Sequence, residues 1–333
     1  MNSTIMTAEE FVTQLEKLQK ETPRWAIMHE NCINSDYTNY TGDLKNCYLS
    51  FGDAYEEDCY YSRWCFYNNN CTDVDYVEHS ELCYECLDCT RCYNTNFCQD
   101  CDELTDCQFC YNCIGCQNCF GCVNLRHKEY YFYNEPLTKE AYQARIKNVA
   151  QTPADIDAEL QKIKSFQTKF PRLFLHERQT QDSTGDYIFR SKNCHSCFDI
   201  WDCEDSFYLF TANDLKDCLD TNFIAGKGSE LNYEFLSGWF TSNANFSFNC
   251  WHSYNVEYCE ICFNSHDLFG CIGQNHKEYC ILNKQYTKDE YGKQVAEIKA
   301  DMKKKGLYGR YFLPSTYPYE DSFAQYDFSI RNR

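Results

Sequence analysis

The sequence predicts a mainly β protein, a duplicated narrow β-solenoid with an inward residue at every third position and capping α-helices. Three observations predict it. The cysteines keep one three-residue register, the register returns in the second half, and the end of one half is copied at the end of the other.

Of the 26 cysteines, 17 lie from Cys32 to Cys122, and every separation among them is a multiple of three. Random placement would scatter them over three registers, so the spacing has a structural cause. Other positions in this register are small or aliphatic, among them Ser35, Thr38, Thr41, Leu44, Ser50, Ser62, Val74 and Leu104. Asp53 and Glu56 break the rule and are expected at a loop, and Asn68 is a milder exception. A period of three fits neither an α-helix nor a plain strand. Polyproline II needs Gly or Pro, and the chain has 13 Gly and 6 Pro. A narrow solenoid does fit, each short side supplying one inward residue, one outward residue and one corner. Four sides make a coil of about 12 residues, with coils stacked roughly 4.8 Å apart, although 18 is also divisible by three. Cysteines such as Cys83, Cys86, Cys89, Cys92, Cys107, Cys110 and Cys113 then point inward. Asn or Asp directly before Cys, as at Asn46, Asp58, Asn70, Asp106 and Asn112, suits a corner because those residues tolerate bent backbone.

In the second half one register runs from Ser191 through Cys194, Cys197 and Cys203 to Ile224. A second runs from Phe235 through Cys250, Cys259 and Cys262 to Cys271. The phase slips across residues 225–234 (AGKGSELNYE), where two glycines mark a loop. FGCVNLRHKEYYFYNEPLTKEAY at 120–142 matches FGCIGQNHKEYCILNKQYTKDEY at 269–291, an offset of 149. Upstream, Lys45-Asn46-Cys47 matches Lys192-Asn193-Cys194 at an offset of 147, and the two-residue difference accounts for the slip.

The expected organisation is an N-terminal helix over 1–28, a first solenoid over 29–133, a helical linker over 134–180, a second solenoid over 181–283, a helix over 284–306 and an aromatic tail over 307–333 that packs back on the body. Thr7 with Glu10 and Thr287 with Glu290 read as capping boxes, and the linker helices fall near 138–149 and 153–166.

Aromatic content of 17% is that of a folded protein. No run of 18 apolar residues exists, so no membrane span is expected. The segment from Met1 to Lys20 carries Glu9, Glu10 and Glu16 and lacks an apolar core, unlike a secretory signal. The expected compartment is therefore the cytoplasm, where disulfides are rare. A net charge of −19 without a Lys/Arg stripe argues against direct nucleic-acid binding.

Three uses of the cysteines compete: small buried residues that fill a lumen, ligands for zinc or iron–sulfur clusters, and a disulfide ladder. The solenoid register produces Cys-x-x-Cys unaided, which weakens that motif as a metal signal. At offset 149, Cys107, Cys116 and Cys119 become Val256, Ser265 and Leu268, and at offset 147 Cys59 and Cys65 become Ser206 and Ala212. A ligand does not become Leu, whereas a lumen filler can. Four cysteines persist in both copies: Cys101, Cys110, Cys113 and Cys122 match Cys250, Cys259, Cys262 and Cys271. On a coil of about 12 residues they occupy two neighbouring columns, which makes them the candidate metal ligands. Thiol packing without a cofactor is the leading expectation. The repeated His-Lys-Glu-Tyr at His127–Tyr130 and His276–Tyr279 could place His127 beside Cys122 as a catalytic pair, but it is expected to cap the open core. No Gly-rich phosphate loop, nucleophile elbow or metalloprotease helix motif occurs, and no catalytic residue is assigned.

Asn-Cys and Asp-Cys repeats that end in CFGCVNLRHKEY and GCIGQNHKEYCILNKQYTKDEY resemble an uncharacterised cysteine-rich repeat family common in uncultivated, reduced-genome bacteria. The resemblance spans about residues 30 to 320, with LPSTYPY at 313–319 a divergent version of a Leu-Ser-Pro-Phe-x-Tyr-Asn-like segment. It implies no established activity and no catalytic residues. The expected function is a non-enzymatic structural or interaction scaffold with a protein partner or self-association. The alternatives are zinc or iron–sulfur binding for storage or electron transfer, and acidic mimicry of nucleic acid.

Overall fold

The computed structural model describes residues 6–23, 27–63, 65, 67–72, 106–149, 152–213, 215–224, 229–238, 240–310 and 318–321. The chain forms two compact units: Trp25–Arg172 with Tyr317–Arg333, and Met1–Arg24 with Leu173–Thr316. Each is built on a β-solenoid.

In the first unit the strand Thr41–Lys45 pairs in parallel with His29–Glu30 and with Ala54–Glu57, and Gly42 lies against Ala54. In the second, Ala244 pairs with Val256, Val256 with Leu268, and Leu268 with Cys280. The step between partners is a sequence separation of 12, the same as in the side-chain bonds from Asn31 to Asp43 and from Asn34 to Asn46. The coil is therefore the shorter of the two lengths the register allowed.

Each triplet repeats one conformation. The outward residue donates its N–H to an inward carbonyl of the next coil, as Ile33 does to Leu44 at 2.8 Å. Its own carbonyl accepts from the corner residue of that coil, as Ile33 does from Asn46 at 3.0 Å. The corner residue is left-handed. From Asn31 to Asn70 the described corners have positive φ at every third position, whether Asn, Asp, Gly, Tyr or Leu. Asn and Asp enter this region cheaply, while Tyr, Leu and Ile pay about 1 kcal/mol or more. The inter-coil hydrogen bonds and stacking between corners hold them there. Tyr55 and Tyr67, one coil apart, stack with centroids 4.8 Å apart and planes 5° apart.

The phase slip is local. Ala212 pairs with Ile224, one regular coil on, but Leu215 pairs with Ser229 and Leu219 with Tyr233, each two positions beyond a regular coil. The two extra residues fall between Ile224 and Ser229, inside the stretch expected to loop. A second irregularity opens this solenoid, where the register shifts between Thr184 and Gly185. Gly185 has φ +140°, and a Cβ there would lie 1.7 Å from the Cys197 carbonyl oxygen. Only glycine fits.

Described inward residues form the two lumen cores, which run through Cys107, Cys110, Cys113, Cys116, Cys119 and Cys122 in the first unit and Cys250, Val256, Cys259, Cys262 and Leu268 in the second. The inward placement expected for Cys83, Cys86, Cys89 and Cys92 lies outside the described residues. One expectation is corrected. Asp53 and Glu56 are not at a loop: they keep the inward register, flank or lie within the strand Ala54–Glu57, and are 1% and 2% exposed. Carboxyl groups break the apolar rule of the lumen without breaking its geometry.

Both solenoids end alike. Glu129–Phe132 turns back into the antiparallel Glu135–Pro136, and Glu278–Ile281 into Lys284–Gln285. Helices follow. Thr138 caps Lys139–Ile146, Thr152 caps Pro153–Gln167, and the Thr287–Glu290 capping box opens Lys288–Lys304. In the first unit Phe109, Phe120 and Phe132 on the outer wall receive Tyr142 and Ile163 from the helices. In the second, Tyr258, Phe269 and Ile281 receive Val295, Ile298 and Met302. The N-terminal helix Ala8–Glu21, with its Thr7–Glu10 capping box, also packs on this wall through Ala8, Phe11 and Leu15. Leu307 and Tyr308, the start of the aromatic tail, join the same cluster. Among the described residues no helix is long and apolar enough to cross a membrane.

Candidate functional site

The lumen meets part of its hydrogen-bond demand with side chains, because inward N–H groups such as those of Cys203, Cys259 and Cys271 bond to side chains. Small polar side chains one coil earlier accept. The Cys203 N–H donates to Ser191 Oγ at 3.1 Å, that of Cys259 to Ser247 Oγ at 3.0 Å, and that of Cys271 to Cys259 Sγ at 3.5 Å. The side chains also donate. The Cys47 thiol reaches the carbonyls of Lys45 at 3.4 Å and Glu56 at 3.7 Å, and that of Cys262 reaches Cys271 O at 3.4 Å. A thiol is therefore more than a small hydrophobe here. It fills space like Ala or Val and donates and accepts like Ser, which explains why Cys, Ser and Thr interchange along the register.

All 20 described cysteines are free thiols, and Cys32 alone among them is not fully buried. In the first lumen the sulfurs crowd one another. Cys110 is pushed well above the usual thiol range by its sulfur neighbours Cys107, Cys113 and Cys122 and by burial, while Cys107 and Cys122 are pulled down by the Cys110 thiol beside them. In the second, burial and Cys262 push Cys250 and Cys259 up.

The candidate ligands of the retained set are distributed along these chains. Cys110, Cys113 and Cys122 face the first lumen, with the Cys110 sulfur beside both others. Cys250, Cys259, Cys262 and Cys271 face the second, where Cys262 contacts Cys250 and Cys259, and Cys259 contacts Cys271. Cys101 lies outside the described residues. These are pairwise contacts along a column or between neighbouring columns. The described side chains that converge on one point are different: ligand atoms of Asp53, Glu56 and Cys65 all lie within 4.8 Å of one another.

That cluster occupies two successive coils of the first solenoid. The Ser62 hydroxyl lies 2.7 Å from Asp53 Oδ2, 3.1 Å from Glu56 Oε2 and 2.9 Å from Ser50 Oγ. The Cys65 N–H donates to Asp53 Oδ1 at 2.8 Å, and the Asn68 amide to Glu56 Oε1 at 3.3 Å. Burial pushes the Asp53 carboxyl up to about 8, and burial with the neighbouring Asp53 pushes Glu56 up to about 10. Sequence reasoning passed over this site because charge was taken to signal exposure. The signal that could have found it was that both acids sit in register with the cysteines.

The His-Lys-Glu-Tyr element is part of the terminal coil. His127 is an exposed left-handed corner whose ring packs over Gly115, one coil earlier, and Cys122 points into the lumen. The wall separates them, so they form no catalytic pair. Tyr131 packs against the end of the first lumen, and Cys280 takes the matching place in the second.

No family model matches the chain, and no curated protein matches it. Solved structures are matched only distantly. A putative acetyltransferase from Desulfovibrio desulfuricans G20 is 8% identical over 86% of this chain and 81% of its own, with a TM-score of 0.15. A UDP-N-acetylglucosamine O-acyltransferase from Moraxella catarrhalis RH4 is 9% identical over 91% and 94%, with a TM-score of 0.14. A UDP-N-acetylglucosamine acyltransferase from Campylobacter jejuni is 10% identical over 75% and 92%, with a TM-score of 0.12. Likeness at this level carries no argument about fold or activity.

Proposed function

We propose that the chain is a structural or interaction scaffold whose repeat walls bind protein, either a partner or another copy. The observation that carries this reading is the exposed aromatic row of the first solenoid. Tyr37 and Tyr61 pack edge-on to Tyr48 at 5.5 and 5.9 Å, and the stacked Tyr55 and Tyr67 are more than half exposed. Rigid aromatic side chains held in register by the coil lose little freedom on binding, and Tyr is enriched in protein interfaces. The second solenoid offers Phe198, Phe207, Tyr208 and Tyr254 in the same way.

The mimicry reading would need unbroken acidic rows. Acids on these walls instead pair with bases on neighbouring coils, as Glu57 does with Lys45, Asp202 with Arg190 and Glu204 with Lys192. That pattern favours the protein scaffold. A photo-crosslinking amino acid placed at Tyr67 should capture a protein that the same probe at Lys147 does not, and Tyr55→Ser with Tyr61→Ser should reduce that capture at least fivefold. Equal capture at the two positions, or capture indifferent to the Tyr→Ser changes, refutes the proposal.

A further inference from the structure

The lumen of the first solenoid contains a polar centre that the fold does not need. At an offset of 147, Asp53, Glu56, Ser62 and Cys65 correspond to Ile200, Cys203, Leu209 and Ala212, all buried in the second lumen. The same coil thus closes on apolar side chains. Burying two carboxyls costs several kcal/mol unless each is fully paired, so their presence as a group requires a compensating interaction.

Counting hydrogens identifies what is missing. Ser62 Oγ is within hydrogen-bond distance of three oxygens, those of Ser50, Asp53 and Glu56, and has one hydrogen to give. The contacts among these oxygens need added positive charge, either protons on the carboxyls or a cation between them. The column that holds Ser62 is polar on the preceding coils as well. Thr38, one coil before Ser50 in the same column, is 2% exposed and turns its hydroxyl into this lumen without a partner among the described residues. Thr38, Ser50 and Ser62 form a file of hydroxyls leading to the acids.

We propose that Asp53, Glu56 and Cys65 bind one divalent cation of the zinc class, with the Ser62 hydroxyl as a further donor. Two carboxylate oxygens and a thiolate sulfur are a mixed set suited to a borderline metal. Calcium and magnesium require six or more oxygens, and a dication cancels two of the three negative charges this donor set carries, where unpaired charge is most costly. The described retained cysteines supply sulfur only and lie on other coils, so this site is separate from them.

The test uses the full chain, purified anaerobically and stripped of metal. Wild type and D53N/E56Q are equilibrated with micromolar Zn2+, desalted and analysed for zinc. The amides are near-isosteres of the protonated acids and leave the lumen filled. Wild type is expected to retain one equivalent more than D53N/E56Q, and Co2+ to give a sulfur-to-metal charge-transfer band that C65S loses. Equal zinc in wild type and D53N/E56Q overturns the proposal. Should D53N/E56Q fail to fold, C65S decides alone: it must hold one equivalent less and lack the band, and an unchanged C65S overturns the proposal.

Discussion

The Ala8 backbone N–H donates to Asp301 Oδ2 at 2.8 Å, although the two residues are 293 positions apart. This bond places the start of the N-terminal helix against the C-terminal helix of the second unit. Phe11 continues the contact by stacking on Phe269 at 4.6 Å. Phe11 also lies over Gly270, where an added Cβ would meet its ring at 2.6 Å and where φ is +64°.

Removing that ring should therefore destabilise the second unit. Phe11→Ala is expected to cost about 3–5 kcal/mol and Gly270→Val about as much, since it combines a clash with a strained backbone. Urea denaturation measures the loss, and hydrogen exchange should show Ala8–Glu21 losing protection before the strands. Full retention of protection in Gly270→Val would contradict the packing.

The solenoid, the duplication and the two-residue slip were legible because each is a register, and registers survive in sequence, whereas a period of three left the coil length open between 12 and 18. Two caps were legible for a similar reason: Thr7 with Glu10 and Thr287 with Glu290 are local signals. The docking of Phe11 on Phe269 was not legible, because nothing local records a partner so far along the chain. Asp53 and Glu56 were misplaced because charge outweighed spacing in the inference. The hydrogen bonding of Cys259 and Cys271 was also hidden, since spacing tells that a thiol faces inward but not what it donates to.

The metal-free protein should lose stability as pH rises. Asp53 and Glu56 ionise in the unfolded chain near 3.8 and 4.5 but are pushed up to about 8 and about 10 in the fold, chiefly by burial. Folded pKa values above the unfolded ones mean that the contribution is full below about pH 4. It falls by about 1.4 kcal/mol per group per pH unit at most, and is lost through pH 8 to 10. Urea midpoints at pH 5, 7 and 9 should fall steeply in wild type and much less in D53N/E56Q. Parallel curves would show that the pair is not buried in its neutral form.

Corner positions should prefer Asn over branched residues whatever their neighbours. Ile261 has φ +53° and Asn255 φ +54°, so both occupy the left-handed region. Ile261→Asn should change stability by less than about 1 kcal/mol despite the lost apolar group, because relief of strain offsets it. Asn255→Ile should cost about 2 kcal/mol, adding strain and removing the bonds from Asn243 and to Asp267. Thermal unfolding of the two variants checks the asymmetry, and equal effects would argue against left-handed corners.

Within the lumen, the chemistry of the side chain should matter more than its size. Cys259→Ser keeps an acceptor for the Cys271 N–H, as Ser247 does for Cys259, and should cost about 1 kcal/mol or less. Cys259→Ala leaves that N–H buried and unpaired and should cost about 1–3 kcal/mol. Denaturant midpoints in the reverse order would mean that thiols are there for bulk alone.

The last prediction concerns accessibility of the sulfurs. Among the described cysteines Cys32 is only partly buried, while the other 19 are buried and donate to, or pack against, the wall. Their reaction with a small alkylating agent has to wait for the coil to open, so it follows local unfolding rather than thiol chemistry. Cys32, at the start of the first solenoid, needs no such opening. Brief alkylation of the native chain with mass-spectrometric mapping should label Cys32 first among these, and Cys110, Cys259 and Cys262 at least a hundredfold more slowly. Unfolding in denaturant without reductant should then expose close to 26 reactive thiols. Rapid native labelling of Cys110 or Cys262 would place them outside the lumen. Many unreactive sulfurs in denaturant would mean disulfides, and several metals per chain would mean that the retained columns are ligands after all.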